Sequence, residues 1–219
     1  MIAANIQKIN QEIGKNVKLV AVSKTKPVET ILEAYQAGQR IFGENKVQEM
    51  LAKQPELPND TEWHLIGHLQ SNKVKYIAPF ISLIHSVDSF KLLEAIDKEA
   101  KKNGRIINCL LQIFIATEET KFGLSRDELF ELLNNPKLKE LTSIQICGLM
   151  GMASNTEDLA KIRTEFKGLK QLFDDVKKRF FPNQSSFKEI SMGMSSDYKI
   201  AVEEGSTLIR VGSLIFGSR

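Results

Sequence analysis

The chain has 219 residues, 42% of them hydrophobic and 26% charged, and 30 basic against 27 acidic side chains leave a net charge of +3. That balance excludes a disordered chain and offers no basic surface for nucleic acid. No apolar run approaches the roughly 20 residues of a bilayer span, so a soluble, cytoplasmic protein with a large core and no membrane partner is expected.

Residues 1–15 show the apolar spacing of an amphipathic helix, and charge interrupts them too often for a secretory signal. Eight short, β-branched-rich runs follow, at 17–22, 39–43, 62–67, 82–87, 106–115, 143–150, 187–192 and 207–212. Between them, helical spacing is found at 28–37, 45–52, 71–78, 89–101, 125–133, 156–180 and 195–204. Pro27 suits the first position of its helix, and Gly38 and Gly205 suit helix ends. Asp88, Ser89, Ser125, Ser195 and Ser196 are capping candidates, and 53–61 and 181–186 read as loops. Cys109 and Cys147 lie in apolar runs without a second cysteine or histidine at metal-ligand spacing, so both are expected as buried thiols.

Strict alternation of strand and helix predicts parallel pairing through right-handed crossovers. Eight such units are the number that closes a barrel. The expected fold is α/β, a single (β/α)8 TIM-type barrel domain over residues 1–219 with an extra N-terminal helix. An open doubly wound sheet is the alternative, disfavoured because no G-x-G-x-x-G follows the first strand.

In such a barrel the chemistry belongs at the C-terminal ends of the strands. Those positions hold Ser23-Lys24, Glu44-Asn45, Gly67-His68, Ser191-Met192-Gly193 and Arg210-Val211-Gly212-Ser213. The run from Ser191 to Ser195 enters a helix and, with Gly212-Ser213, could form an anion site; an ordinary tight turn with capping serines would read the same way. Lys24 shares strand parity with Val20 and Val22. Held against apolar walls it could offer a free amine for imine chemistry, or it could simply extend to the rim. Lys26, next to Pro27, suits a rim cation. Arg210 must find a partner, either a ring nitrogen or Glu203 or Glu204.

Together the stretches AVSKTKP, FGENKVQE, WHLIGHLQSNK, LMGMA and SMGMSSDYKIAVEEGSTLIRVGSLIFG resemble the pyridoxal 5′-phosphate homeostasis protein family, related to the N-terminal barrel of alanine racemase. The resemblance runs from about residue 17 to the end of the sequence. It implies a fold-type III barrel whose cofactor is pyridoxal 5′-phosphate (PLP), held as an imine on Lys24. It further implies Ser191 as a phosphate ligand with Gly193 allowing close backbone approach, Arg210 at the pyridine nitrogen, Gly212 and Ser213 at the phosphate, and Asn45 at the ring edge. Phe122, in Thr120-Lys121-Phe122-Gly123, departs from the polar residue or histidine of many members, which leaves any role of Lys121 open. The family is associated with vitamin B6 and amino-acid balance, by storing PLP or handing it to PLP-accepting apo-enzymes, and not with a settled reaction.

A racemase needs a second acid/base opposite the lysine. In alanine racemase it comes from a further C-terminal domain, which is not expected after the eighth strand here. Tyr35, Tyr76 and Tyr198 fall in helical patterns, His64 reads as a core histidine, and His68 as a loop residue beside the mouth. The expectation is therefore a monomeric PLP carrier without strong catalysis. The alternatives are slow amino-acid racemisation and, more remotely, an aldolase-type Schiff-base barrel that would rely on Glu44.

Overall fold

The computed structural model describes residues 1–116 and 122–217. Eight strands form within them: β1 (Lys18–Val22), β2 (Ile41–Glu44), β3 (Glu62–Leu65), β4 (Leu83–Val87), β5 (Ile107–Ile113), β6 (Ile144–Gly151), β7 (Glu189–Ser191) and β8 (Leu208–Val211). All pair in parallel in chain order, and β8 returns to β1 to close the barrel. The helices are α1 (Ile2–Ile13), α2 (Val28–Gln36), α3 (Val47–Lys53), α4 (Val74–Ile77), α5 (Phe90–Lys102), α6 (Arg126–Asn134), α7 (Leu159–Phe180), α8 (Tyr198–Glu203) and α9 (Ser213–Phe216).

Strand residues alternate between two apolar layers. One face packs on the helices, with Leu19, Ala21, Phe42, Trp63, Leu65, Ile84, Ile190 and Ile209 in the larger core. The other fills the barrel with Val20, Leu83, Leu110, Cys147, Met150 and Leu208. Because the side-chain period of a strand is two, each identity on one layer fixes its neighbours on the other except at register shifts, as in β6, where Cys147 and Met150 share the interior. His64, His85, Ser191 and Arg210 therefore belong to the interior, and Glu44 turns outward with Phe42.

Capping follows the sequence at several points. Ser125 and Glu128 form a reciprocal capping box on α6, and Ser89 accepts from the Leu92 N–H at the start of α5. Several boundaries differ; the helix expected at 156–180, for instance, starts three residues later, at Leu159. The helix expected at 71–78 is a 3₁₀ turn, Ser71–Lys73, followed by the short α4. The one expected at 195–204 starts three residues later, at Tyr198, because Asp197 Oδ1 accepts from the Met194 N–H at 2.5 Å and closes the preceding turn. That shift releases Ser195 from capping.

Cys109 and Cys147 are free and buried, as expected, and burial pushes both thiols up, Cys147 to about 11. No helix among the described residues is long and apolar enough to cross a membrane.

Candidate functional site

The C-terminal mouth of the barrel opens into a cavity of about 320 Å³. Its amine is Lys24, which continues the interior face of Val20 and Val22 beyond the end of β1. Asn45, in the turn from β2 to α3, lines the cavity half-buried. Arg210 rises from β8, and Gly212, Ser213 and Ser195 form the edge beside it. Val22, Ile66, Met152, Met194 and Phe122 supply apolar wall, and the exposed His68 stacks on Phe122 with centroids 4.3 Å apart.

Arg210 is the electrostatic centre. It is 4% exposed, and no carboxylate lies within ion-pair distance of it among the described residues. Glu203 and Glu204, the partners considered from the sequence, are both occupied by Arg163 at 2.5 and 2.6 Å. Arg210 Nη1 instead donates to Ser191 Oγ at 2.5 Å and Nη2 to the Gly151 carbonyl at 3.1 Å. Burial pulls its guanidinium down to about 10, with Asp197 acting the other way, so it is still a cation at neutral pH. A buried cation held by two neutral oxygens retains N–H capacity for an acceptor placed in the cavity.

Of the seven residues named from the sequence, Lys24, Asn45, Arg210, Gly212 and Ser213 meet in this cavity. Ser191 and Gly193 do not line it. Ser191 is fully buried beneath Arg210, with its hydroxyl between Arg210 and His85 Nδ1, 2.9 Å away. Gly193 has φ +96°, and a Cβ there would stand 2.6 Å from that of Ala201. Its freedom serves the packing of the β7–α8 turn on α8, not an approach to the cavity. We expect Gly193→Ala to cost about 2–4 kcal/mol in urea unfolding, combining left-handed backbone strain with overpacking.

The serine that does reach the cavity is Ser195. Its Oγ lies 3.4 Å from the Gly212 N–H, joining the β7–α8 and β8–α9 turns. A Cβ at Gly212 would press on the Val22 carbonyl at 3.0 Å, so glycine lets this turn lie close against β1. Two hydroxyls and the backbone of two turns thus converge on the cavity that Lys24 lines, a donor set suited to a phosphate.

Other sequence expectations are redistributed. Lys26 is not at the cavity; its Nζ donates to the carbonyls of Phe216 and Gly217, each at 3.2 Å, fastening the end of α9. Glu44 is fully buried on the helix side, accepting from Lys53 Nζ at 2.8 Å and Ser23 Oγ at 2.6 Å. Burial pushes its carboxyl up despite Lys53. Glu44 is therefore unavailable to Lys24, which removes the acid/base that the aldolase reading requires. Tyr35 bonds Asp60, Tyr198 bonds Glu12, and neither they nor Tyr76 line the cavity. Lys121 lies outside the described residues. The residue that sequence reasoning passed over is His85, fully buried and joined to His64 at 2.9 Å.

A family model described as "Alanine racemase, N-terminal domain" matches residues 1–219. The pyridoxal phosphate homeostasis protein of Aquifex aeolicus is 39% identical over 98% of this chain and 93% of its own length. That of Haemophilus influenzae is 37% identical over 100% and 93%. The chain belongs to the pyridoxal phosphate homeostasis protein family. Among solved structures, the homologue PipY of Synechococcus elongatus with PLP bound is 40% identical, with a TM-score of 0.90 over 99% of this chain and 100% of that one. Alanine racemase of Bartonella henselae shares the barrel at a TM-score of 0.72 and 20% identity, a likeness of fold, with this chain spanning 60% of its length.

Proposed function

We propose that this protein holds PLP in the C-terminal mouth of the barrel, as an imine on Lys24, and serves cytoplasmic PLP and amino-acid homeostasis by retaining the cofactor and releasing it to acceptor apo-enzymes. The observation that carries the reading is the convergence of Lys24, Arg210, Ser195, Gly212 and Ser213 on one cavity, in a family whose member PipY has been solved with PLP bound. The bound group would supply an electrophilic aldehyde and a conjugated ring. Lys24 would provide the amine, and Ser195, Ser213 and the backbone at Gly212 would bind the phosphate. Asn45 would border the ring, and Arg210 would donate to the pyridine nitrogen. Ser191 and Gly193 would contribute from behind, by supporting Arg210 and the turn.

An arginine at that nitrogen leaves it unprotonated and makes the ring a weaker electron sink than a carboxylate would. A weaker electron sink favours retention over strong catalysis. The reading expects a monomer to suffice, since every group it invokes belongs to this chain. Slow racemisation is the second reading, favoured by His68, which lines the cavity with Nδ1 3.5 Å from Asp88 Oδ2.

The two are separated by incubating the PLP-loaded protein with L-amino acids in deuterium oxide, and in parallel with an apo-enzyme that requires PLP. Carriage predicts activation of the apo-enzyme and no α-deuterium above the free-PLP control. Enrichment well above that control, abolished by His68→Ala, would favour the racemase. Lys26→Ala should keep the Lys24 adduct but release PLP faster, by up to about tenfold, because α9 and Ser213 lose their fastening to the β1–α2 turn. Dialysis against excess apo-enzyme measures that rate.

A further inference from the structure

Four interior side chains form an unbroken chain of contacts through the barrel. Arg210 Nη1 meets Ser191 Oγ at 2.5 Å, Ser191 Oγ meets His85 Nδ1 at 2.9 Å, and His85 Nε2 meets His64 Nδ1 at 2.9 Å. The upper end lines the Lys24 cavity. The lower end, His64, lines a separate polar cavity of about 500 Å³ at the N-terminal mouth, together with Lys18, Glu62 and Glu189.

Counting hydrogens fixes the direction of this chain. Arg210 can only donate, so Ser191 accepts from it. Ser191 then has one hydrogen, and His85 Nδ1 is the remaining partner in reach. If the serine donates, His85 carries its hydrogen on Nε2 and gives it to His64 Nδ1, and His64 carries its own on Nε2 at the lower cavity. Every contact is then a hydrogen bond. If the imidazole hydrogens ran the other way, the hydroxyl hydrogen of a fully buried serine would have no acceptor. Protonating either ring is opposed by burial, by Arg210 above and by Lys18 below. The first arrangement is the one that satisfies every group.

We propose that His85 and His64 are positioning residues for the Lys24 cavity: through Ser191 they form a one-directional hydrogen-bond chain that pins Arg210 from inside the barrel and presents its free N–H edge to the ligand. The Gly151 carbonyl holds the second guanidinium nitrogen, so the plane cannot turn without breaking this chain. The proposal rests on the PLP reading for its ligand and on the protein alone for its geometry.

Two experiments test it separately. In the ligand-free protein at neutral pH, long-range ¹⁵N–¹H correlation spectra should show His64 and His85 neutral, both with the hydrogen on Nε2. A hydrogen on Nδ1 of His85, or a charged ring, would overturn the chain. In the PLP-loaded protein, His85→Leu should weaken PLP binding at least tenfold and shift the visible band. His85→Gln carries one acceptor and one donor at nearly the spacing of the ring nitrogens, and should restore most of both. A His85→Leu protein with wild-type affinity and band, or a His85→Gln protein no better than His85→Leu, would overturn the positioning role. A wild-type protein that binds no PLP would sink the functional reading instead, and the tautomers of the ligand-free protein would still decide the chain.

Discussion

Lys24→Ala is expected to remove the visible band of the PLP complex, to leave nothing for borohydride to fix, and to weaken PLP binding at least about a hundredfold, or ~3 kcal/mol. The phosphate and ring contacts would persist, but the carbon–nitrogen bond that holds the aldehyde would not. The fold should be indifferent. Lys24 is half-exposed at the mouth and makes no hydrogen bond or ion pair among the described residues, so unfolding should change by no more than about 0.5 kcal/mol. An equal loss in Lys26→Ala would contradict the division of labour, since Lys26 is tied to the carbonyls of Phe216 and Gly217 and stands outside the cavity lining.

Acid should destabilise this protein earlier than its carboxylates alone would. Burial pushes His64 from 6.5 down to about 3, with Lys18 adding to it. Burial, then His64 and Arg210, hold His85 well below the ordinary imidazole range. Both folded values lie below the unfolded ones, so the associated stability is complete above about pH 6.5 and is lost as pH falls toward the folded values. At pH 5 the unfolded chain has gained two protons that the native barrel refuses. The one at His64 is worth about 2 kcal/mol there and His85 adds to it in the same direction, a sizeable share of the stability of a domain. Urea unfolding at neutral pH and at pH 5 measures the loss. A His64→Asn/His85→Gln double variant should show most of that pH dependence removed. If wild type and double variant fell in parallel, the acid sensitivity would have to be assigned elsewhere.

The barrel was legible because its evidence is periodic. Eight apolar runs alternating with helical spacing leave few topologies, and parity along each strand assigns a face. That parity placed Lys24 on the face of Val20 and Val22, which is the interior, and it places Arg210 two residues beyond the interior Leu208. The finer site was less legible where one turn decides which side chain faces the ligand. In Ser191-Met192-Gly193-Met194-Ser195-Ser196-Asp197, both serines next to the turn can cap a helix, and nothing local distinguishes them from Asp197. The structure uses Asp197 to close the turn, the helix starts at Tyr198, and Ser195 reaches the cavity while Ser191 stays beneath it. The histidine pair needed register. His64 and His85 both stand on interior positions, a signal present in WHL and IHS, yet their contact depends on β3 pairing with β4 so that His64 lies beside Leu83. The fate of Glu44 was carried by parity as well, since it follows Gly43, whose Cβ position faces Val20 inside the barrel.

The central claim is that Lys24 is the amine that holds PLP. The most direct measurement is borohydride reduction of the PLP-loaded wild-type protein, followed by proteolysis and mass mapping of the pyridoxyl label. A single stoichiometric label on Lys24 is the predicted result. No label, or label carried by Lys26 or spread over surface lysines, would contradict it and leave an α/β barrel whose cavity serves some other phosphorylated ligand.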